Sequence, residues 1–382
     1  MQRETGPGVG IYLGMRTLIL CASLGFVACS DASNQSGVDG GGIQDLASAG
    51  VTDAGLSLVD GGQPSGWLYT SGNKIYVRGG STTTPWMGRG VNVDDLFLCG
   101  NNYMLQRTTA ETDFTSMVSG LMTNWKPTFV RLSLGMDSYP TKVSWTANPG
   151  QYKTPMTNII NAIGAHPNVY VLVTLRSHPS MILQFTPSPE PTGIPSDHSN
   201  TPNATTYPNG TDDMYVALVD TFATSGFVLF GLTNEPGGNM RTDAVISSAM
   251  SHAVGVIRAE EDRLGVPHHI VSVQGNGWSS SIGYYVSNPI PYDNVVYEVH
   301  GYPPTSASYT YSTLPVIIGE YGTLGNAAAF FSDLESKQIP NLAWDFEPYS
   351  DCAPDLIDVS KAPASLTPTP WGSTVKAYLN AH

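Results

Sequence analysis

Eight short apolar segments recur along the chain, at 86–93, 128–134, 169–175, 226–232, 269–275, 294–300, 315–321 and 341–346. Between most of them the apolar period changes from continuous to helical. In 109–125, Phe114, Met117, Val118, Leu121 and Met122 fall on one helical face, and in the next interval Met156, Ile159, Ile160 and Ile163 do the same. Further helices are read at 211–224, at 242–262 with Thr242 or Asp243 as cap, at 326–337 and in the closing WGSTVKAYLNA, with a short helix within 279–288. A strand apolar throughout, such as GFVLFGL at 226–232, must be covered on both faces, as the strands of a parallel sheet are. Eight such units over about 300 residues have the size and pattern of an α/β fold of the (β/α)8 barrel type. The competing architecture is a doubly wound open sheet. No glycine-rich phosphate fingerprint follows the first apolar segment, which counts against it. A hairpin turning at Gly72-Asn73 within 66–80 precedes the alternation.

In a barrel of this kind the chemistry sits at the C-terminal ends of the strands. Those ends carry Asn92, Arg131, His178, Asn234 with Glu235, Trp278, His300 with Tyr302, Glu320, and Trp344. Glu235 closes the fourth apolar run and Glu320 the seventh. Any one of these residues, taken alone, is as readily a solvated strand end or a satisfied core group. Together they offer two carboxylates across a cleft, the arrangement that glycoside hydrolysis needs: one protonates the leaving oxygen, the other attacks the anomeric carbon or activates water. Arg131 is placed to keep one carboxylate ionised, Tyr302 and His300 to donate hydrogen bonds, Asn234 to bind a hydroxyl, and Trp344 to stack on a sugar ring. Arg89 and Asn92 read as structural, Asp94 and Asp95 as acids near the cleft. Glu298 shares a strand face with His300 and reads as a structural acid paired to an unidentified partner. Trp278 divides evenly between core residue and sugar platform.

The order of these pieces resembles glycoside hydrolase family 5, a cellulase-like family of retaining (β/α)8 glycosidases. The matching motifs are RGVN (89–92), the arginine of FVRLSLG, the histidine of LRSHPS, TNEP, GNGW (275–278), VHGY (299–302), GEYG (319–322) and the tryptophan of LAWDF, spanning about residues 66–380. The resemblance implies Glu235 as general acid/base and Glu320 as nucleophile. Arg131 and Tyr302 would orient Glu320, and His178, Asn234, His300 and Trp344 would line the subsite of the sugar being cleaved. It implies a polysaccharide or oligosaccharide substrate, β-1,4-glucan first and mannan next, and no metal or organic cofactor. An exo-acting β-glycosidase of the same clan, and a non-catalytic carbohydrate-binding barrel, are the alternatives; two intact glutamates speak against the second. Pro236 is expected to bias Glu235 toward extended backbone. Cys99 follows the first barrel strand and Cys352 the eighth, neighbours in a closed barrel, so a Cys99–Cys352 disulfide is expected.

The remaining sequence reads as delivery. MRTLILCASLGFVACS (15–30) has a basic start, an apolar run too short to span a bilayer, and small residues before Cys29. Residues 1–29 therefore read as a signal segment starting at Met15, with Cys29 as the lipidation candidate of a surface-anchored protein, and full secretion as the alternative. Residues 30–64, rich in Gly, Ser, Asp and Ala and without aromatics, read as a flexible tether to a catalytic domain at 65–382. Only 13% of residues are charged and the net charge is −14. Both exclude a phosphate-binding surface and hence nucleic acid as partner. The domain is expected to act as a monomer. The long Pro/Ser/Thr-rich stretch at roughly 176–211 reads as a functional loop.

Overall fold

A computed structural model describes residues 66–93, 110–135, 149–176, 211–236, 242–346, 354–358 and 365–382. The signal segment with Cys29, the tether, Asp94, Asp95, Cys99, His178, residues 177–210 of the long loop, and Cys352 lie outside the described residues. The readings that rest on them, the Cys99–Cys352 pairing included, lie outside with them.

Strands β1 (Leu68–Ser71) and β2 (Lys74–Val77) form the expected antiparallel hairpin, with Leu68 opposite Val77. The turn needs Gly72, whose φ of 57° falls in the left-handed region. Eight parallel strands then close a barrel: β3 (Arg89–Val93), β4 (Phe129–Gly135), β5 (Tyr170–Arg176), β6 (Val228–Gly231), β7 (Val271–Gln274), β8 (Val295–Gly301), β9 (Val316–Tyr321) and β10 (Asn341–Ala343). They follow one another in chain order, and β10 closes on β3 through the pairs Asn341–Arg89 and Ala343–Val91. Helices at Ala110–Asn124, Pro149–Gly164, Thr211–Phe222, Asp243–Leu264, Ala327–Lys337 and Pro370–Asn380 occupy the positions that the apolar periodicity predicts. Thr242, not Asp243, is the cap of its helix; its side chain accepts from the Val245 N–H. The short helix expected within 279–288 is a 3₁₀ turn at Gly283–Val286. No helix among the described residues is long and apolar enough to cross a membrane.

Side chains alternate along each strand, and the two sets pack into separate cores. The outward set, including Val91, Val93, Val130, Leu132, Val171 and Val173, packs with helix residues such as Phe114, Leu121 and Ile160. The inward set begins with an apolar floor: Phe129, Leu172, Leu229, Ile270, Val296, Ile317 and Leu342. Leu68 and Ile75 of the hairpin pack against this floor and plug the N-terminal end of the barrel. Two residues further up β4, β5, β7 and β8 the interior turns polar, with Arg131, Thr174, Ser272 and Glu298. On β4 the inward series runs Phe129, Arg131, Ser133; entering β7 it runs Ile270, Ser272, Gln274; on β8 it runs Val296, Glu298, His300. Arg89 stays at the opposite end, where its guanidinium holds Glu335 in two bonds of 2.6 Å and Tyr378 adds a third donor at 2.7 Å. Its structural reading stands.

The plug predicts a clean separation of stability from chemistry. Ile75→Ala removes buried aliphatic volume and should cost roughly 2–5 kcal/mol in urea unfolding. The turnover of the molecules that remain folded should not change.

Candidate active site

Backbone irregularity, not strand alternation, aims the two predicted acids into the barrel. On β9, Ile317 faces the interior floor and Ile318 faces the helices. Strict alternation would therefore send Glu320 outward with Ile318. Instead the pairing of β8 with β9 slips between Val299–Ile318 and His300–Glu320, one residue being skipped. The slip lets Glu320 turn inward while Tyr321 still packs outside. The skipped residue must be Gly319, because a Cβ there would lie 2.1 Å from Glu298 Oε1.

Glu235 follows β6 and departs from expectation. Its φ is 49°, left-handed rather than the extended backbone that Pro236 was expected to impose. Two tertiary bonds override the local preference. The Glu235 N–H donates to Gln274 Oε1 at 2.6 Å, and Glu235 Oε1 lies 2.9 Å from His300 Nδ1. Such a conformation persists only where the surroundings determine it, and it clusters at functional sites.

Between the acids runs a continuous network. Arg131, fully buried on β4, donates from one terminal nitrogen to Glu320 Oε1 and Asn92 Oδ1, both at 2.9 Å. Its other terminal nitrogen donates to Asn234 Oδ1 at 2.7 Å. Its Nε lies 2.9 Å from Glu298 Oε1, an electrostatic contact without the alignment of a hydrogen bond. Asn92 in turn donates to the Gly319 carbonyl at 2.8 Å, tying β3 to the bulge. Tyr302, just past the end of β8, donates its hydroxyl to Glu320 Oε2 at 2.8 Å. His300 has Nε2 2.9 Å from Glu298 Oε1, with Nδ1 on Glu235 and 3.5 Å from Glu320 Oε2.

The charges follow from these contacts. Burial alone would raise the Glu298 pKa, but the Arg131 charge and the His300 hydrogen bond outweigh it and hold it down at about 2. Burial alone would lower the pKa of His300. The Glu320 charge and the bonds to Glu235 and Glu298 outweigh that and raise it to about 9. With carboxylates at both ring nitrogens, the doubly protonated ring is the form that donates to both. The Tyr302 ring is 50% exposed, yet its hydroxyl end faces inward; desolvation there, then the Glu320 charge, push its pKa far up, so it remains a donor.

An oxygen of Glu235, a ring nitrogen of His300 and an oxygen of Glu320 all lie within 4.8 Å of one another, a spacing that a cation could bridge. The cationic role is already filled: the Arg131 guanidinium sits 2.9 Å from Glu320, and both His300 nitrogens face carboxylates.

The structure thus joins Arg131, Asn234, Glu235, His300, Tyr302 and Glu320, and adds Asn92 and Glu298. Trp344 is 6% exposed at the end of β10, where its carbonyl accepts from the Trp371 indole at 3.3 Å and its N–H donates to Tyr321 O. Trp278 is 41% exposed, with a φ of 58°. The adjoining Ser279 stitches that turn to β8, donating to Glu298 O at 2.8 Å and accepting the His300 N–H at 3.0 Å.

The Cellulase family model (glycosyl hydrolase family 5) matches residues 98–350. The chain belongs to glycosyl hydrolase family 5. It is a glycoside hydrolase. The catalytic domain of an endoglucanase from Thermobifida fusca, Cel5A, is similar in structure, with a TM-score of 0.60 at 18% identity, covering 82% of this chain and 97% of that one. A beta-glucanase from Saccharophagus degradans, solved with cellotetraose, gives 0.60 at 18% identity over 84% and 94% of the two chains. These likenesses show the same fold. No curated protein matches the sequence.

Three residues of the hydrolase's site escaped the reading by strand ends: Gln274, which holds the Glu235 backbone, Ser272, which donates to Glu298 Oε2 at 2.6 Å, and Ser279. The signal for the first two was present as polar residues at alternate positions of VSVQ, a segment otherwise read as apolar.

The pKa directions predict the pH dependence of the enzyme's stability. His300 is raised from 6.5 to about 9, so its contribution is complete below pH 6.5 and is lost as pH climbs through about 9. Glu298 is lowered from 4.5 to about 2, so its contribution is present above pH 4.5 and is lost as pH falls toward about 2. Denaturant unfolding of wild type and His300→Gln across pH 6 to 10 should show a stability gap that closes on the alkaline side.

Proposed function

We propose that the protein is a retaining endo-β-glycosidase that hydrolyses a polysaccharide, β-1,4-glucan foremost, by double displacement. The observation that carries this reading is the approach of Glu235 and Glu320 carboxyl oxygens to within 4.8 Å. Retaining glycosidases hold their carboxyl groups about 5–5.5 Å apart, whereas inverting ones leave about 6.5–9.5 Å for a water molecule. In the first step a Glu320 oxygen attacks the anomeric carbon and the glycosidic C–O bond breaks. The electron pair goes to the leaving oxygen, which takes the proton of Glu235. In the second, Glu235 removes a proton from water, the water oxygen attacks the same carbon, and the bond to Glu320 breaks. Arg131 and Tyr302, donating to the two oxygens of Glu320, orient the carboxyl group for attack and receive it when it leaves.

The substrate class draws support from the similar structures, an endoglucanase and a beta-glucanase that were each solved with cellotetraose. Asn234, His300 and Trp344 are the residues we assign to the cleaved sugar, and Trp278, on its exposed turn, to a neighbouring one. The export signal and the lipid anchor read from residues 15–30 fit a polymer too large to enter a cell.

Reducing-end release from carboxymethyl-cellulose, mixed-linkage β-glucan, glucomannan, mannan and xylan tests the proposal. Hydrolysis of the β-glucans is expected, with the product anomer retained by NMR. Turnover should fall by several orders of magnitude in Glu235→Ala and Glu320→Gln, each of which removes a group the chemistry cannot spare. Preference for mannan would move the substrate, and an inverted product would reject the mechanism.

A further inference from the structure

Glu298 stands outside the pair of acids, yet both depend on groups that it holds. It is fully buried on β8, below His300 on the inward face. One oxygen, Oε1, meets Arg131 Nε at 2.9 Å and His300 Nε2 at 2.9 Å. The other, Oε2, accepts the Ser272 hydroxyl at 2.6 Å. Arg131 continues to Glu320, and His300 continues to Glu235. A single carboxylate oxygen is therefore the common root of two arms, one ending on each acid.

We propose that Glu298 is a positioning residue that sets the working states of both acids, holding His300 as a two-ended donor to Glu235 and Arg131 against Glu320. The proposal rests on the roles assigned above to Glu235 and Glu320.

The chemistry runs through His300. A neutral imidazole has one N–H and one lone pair. Were the proton on Nε2, the Nδ1 lone pair would face Glu235 Oε1 and repel it. Glu298 at Nε2 and Glu235 at Nδ1 together favour the ring that carries both protons. With Nδ1–H on Glu235 Oε1, acceptor duty falls to that oxygen, and the transferable proton is carried on Oε2. Among the described residues, the charged or titratable groups facing His300 are Glu298 on its own strand, Glu235 after β6, Glu320 on β9 with Tyr302 behind it, and Arg131 on β4. Arg131 opposes the protonated ring and the carboxylates favour it. With Glu235 protonated, two cations face two carboxylates and the cluster is neutral. Removing the Glu298 charge leaves Arg131 and the protonated ring in excess, so the ring should release its proton at lower pH. The low value of the Glu298 pKa, about 2, is consistent with a permanently charged anchor.

The test is Glu298→Gln, which keeps the volume and removes the charge, with Glu298→Asp as a milder variant that keeps the charge but draws it back from His300 and Arg131 by one methylene. Steady-state kinetics on the polymer hydrolysed by wild type, pH profiles, thermal melting, and NMR of 15N-histidine-labelled protein (the His300 signals assigned through His300→Gln) are compared. The expected result for Glu298→Gln is a fall in kcat of about 10- to 100-fold with KM little changed. The alkaline limb of kcat/KM should move to lower pH by about one unit or more, and the His300 ring titration should move with it. Glu298→Asp, with the charge drawn back from the ring, should shift both in the same direction by less. A Glu298→Gln protein that melts lower but keeps the wild-type alkaline limb and His300 titration would overturn the proposal and leave Glu298 merely structural. Should Glu298→Gln fail to fold, Glu298→Asp decides: a moved limb supports the proposal and an unmoved one rejects it. Full turnover in Glu235→Ala or Glu320→Gln would instead sink the parent reading. Their inactivity beside an unmoved limb in Glu298→Gln rejects this inference alone.

Discussion

A guanidinium with no access to water, Arg131, is the constraint from which the site follows. A buried charge of this kind is costly unless anions and acceptors surround it. Its four contacts come from four other barrel strands or strand ends: Asn92, Asn234, Glu298 and Glu320. Asn92, Glu298 and Glu320 are held by further bonds, so the charge is satisfied only when β3, β4, β6, β8 and β9 stand in one register. Such a network contributes little net stability compared with an apolar core of the same volume. It does make wrong registers expensive, because any slip would strand either the cation or a carboxylate. The same logic explains the protonated His300. Three carboxylates this close repel one another, and one cation cannot neutralise them.

The apolar floor makes this arrangement possible. Phe129, Leu172, Val296 and Ile317, with Leu68 and Ile75 beneath them, exclude water from the N-terminal side of the network. In a dry setting each ionic contact is stronger and each unpaired group more costly. Fixed dipoles of this sort need no rearrangement when charge moves during the reaction, which is how a preorganised site stabilises a transition state. The helix-facing valines and the floor supply stability, while the upper interior supplies chemistry, and the two meet within a single strand at a spacing of two residues. On β8 the change takes place between Val296 and Glu298.

Much of this was legible in the amino-acid order, because strand and helix periods are local. The eight strands, the helices between them and the hairpin at Gly72 follow from patterns a few residues long. Glu235, Glu320, Arg131, Asn234, His300 and Tyr302 could be placed because a parallel barrel sends all its strand ends to one face. What the pattern could not supply was partnership across the barrel. Glu298 lacked a visible partner across the barrel because Arg131 and Ser272 lie on β4 and β7, and the register that joins them to it is a property of the closed sheet. The backbone of Glu235 was misjudged for the same reason: the preference of a residue before proline is local and modest, whereas the bonds from Gln274 and His300 come from distant strands. Ser272 and Gln274 were hidden inside a segment whose two valines made it read as apolar.

The bulge at Gly319 shows why two well-placed glutamates do not by themselves specify a site. Glu235 gains its inward aim from a left-handed residue, and Glu320 gains it from a skipped pairing position. Neither irregularity would survive in isolation. The first is held by an amide on β7, the second by Asn92 on β3, whose side chain donates to the Gly319 carbonyl and accepts from Arg131. The side chain of Glu298 fills the space that a Cβ at position 319 would occupy. The glycine that permits the bulge thus also permits the carboxylate that charges His300. The geometry of Glu320 and the protonation of His300, the partner of Glu235, therefore share one steric origin, and a side chain at that position would disturb both.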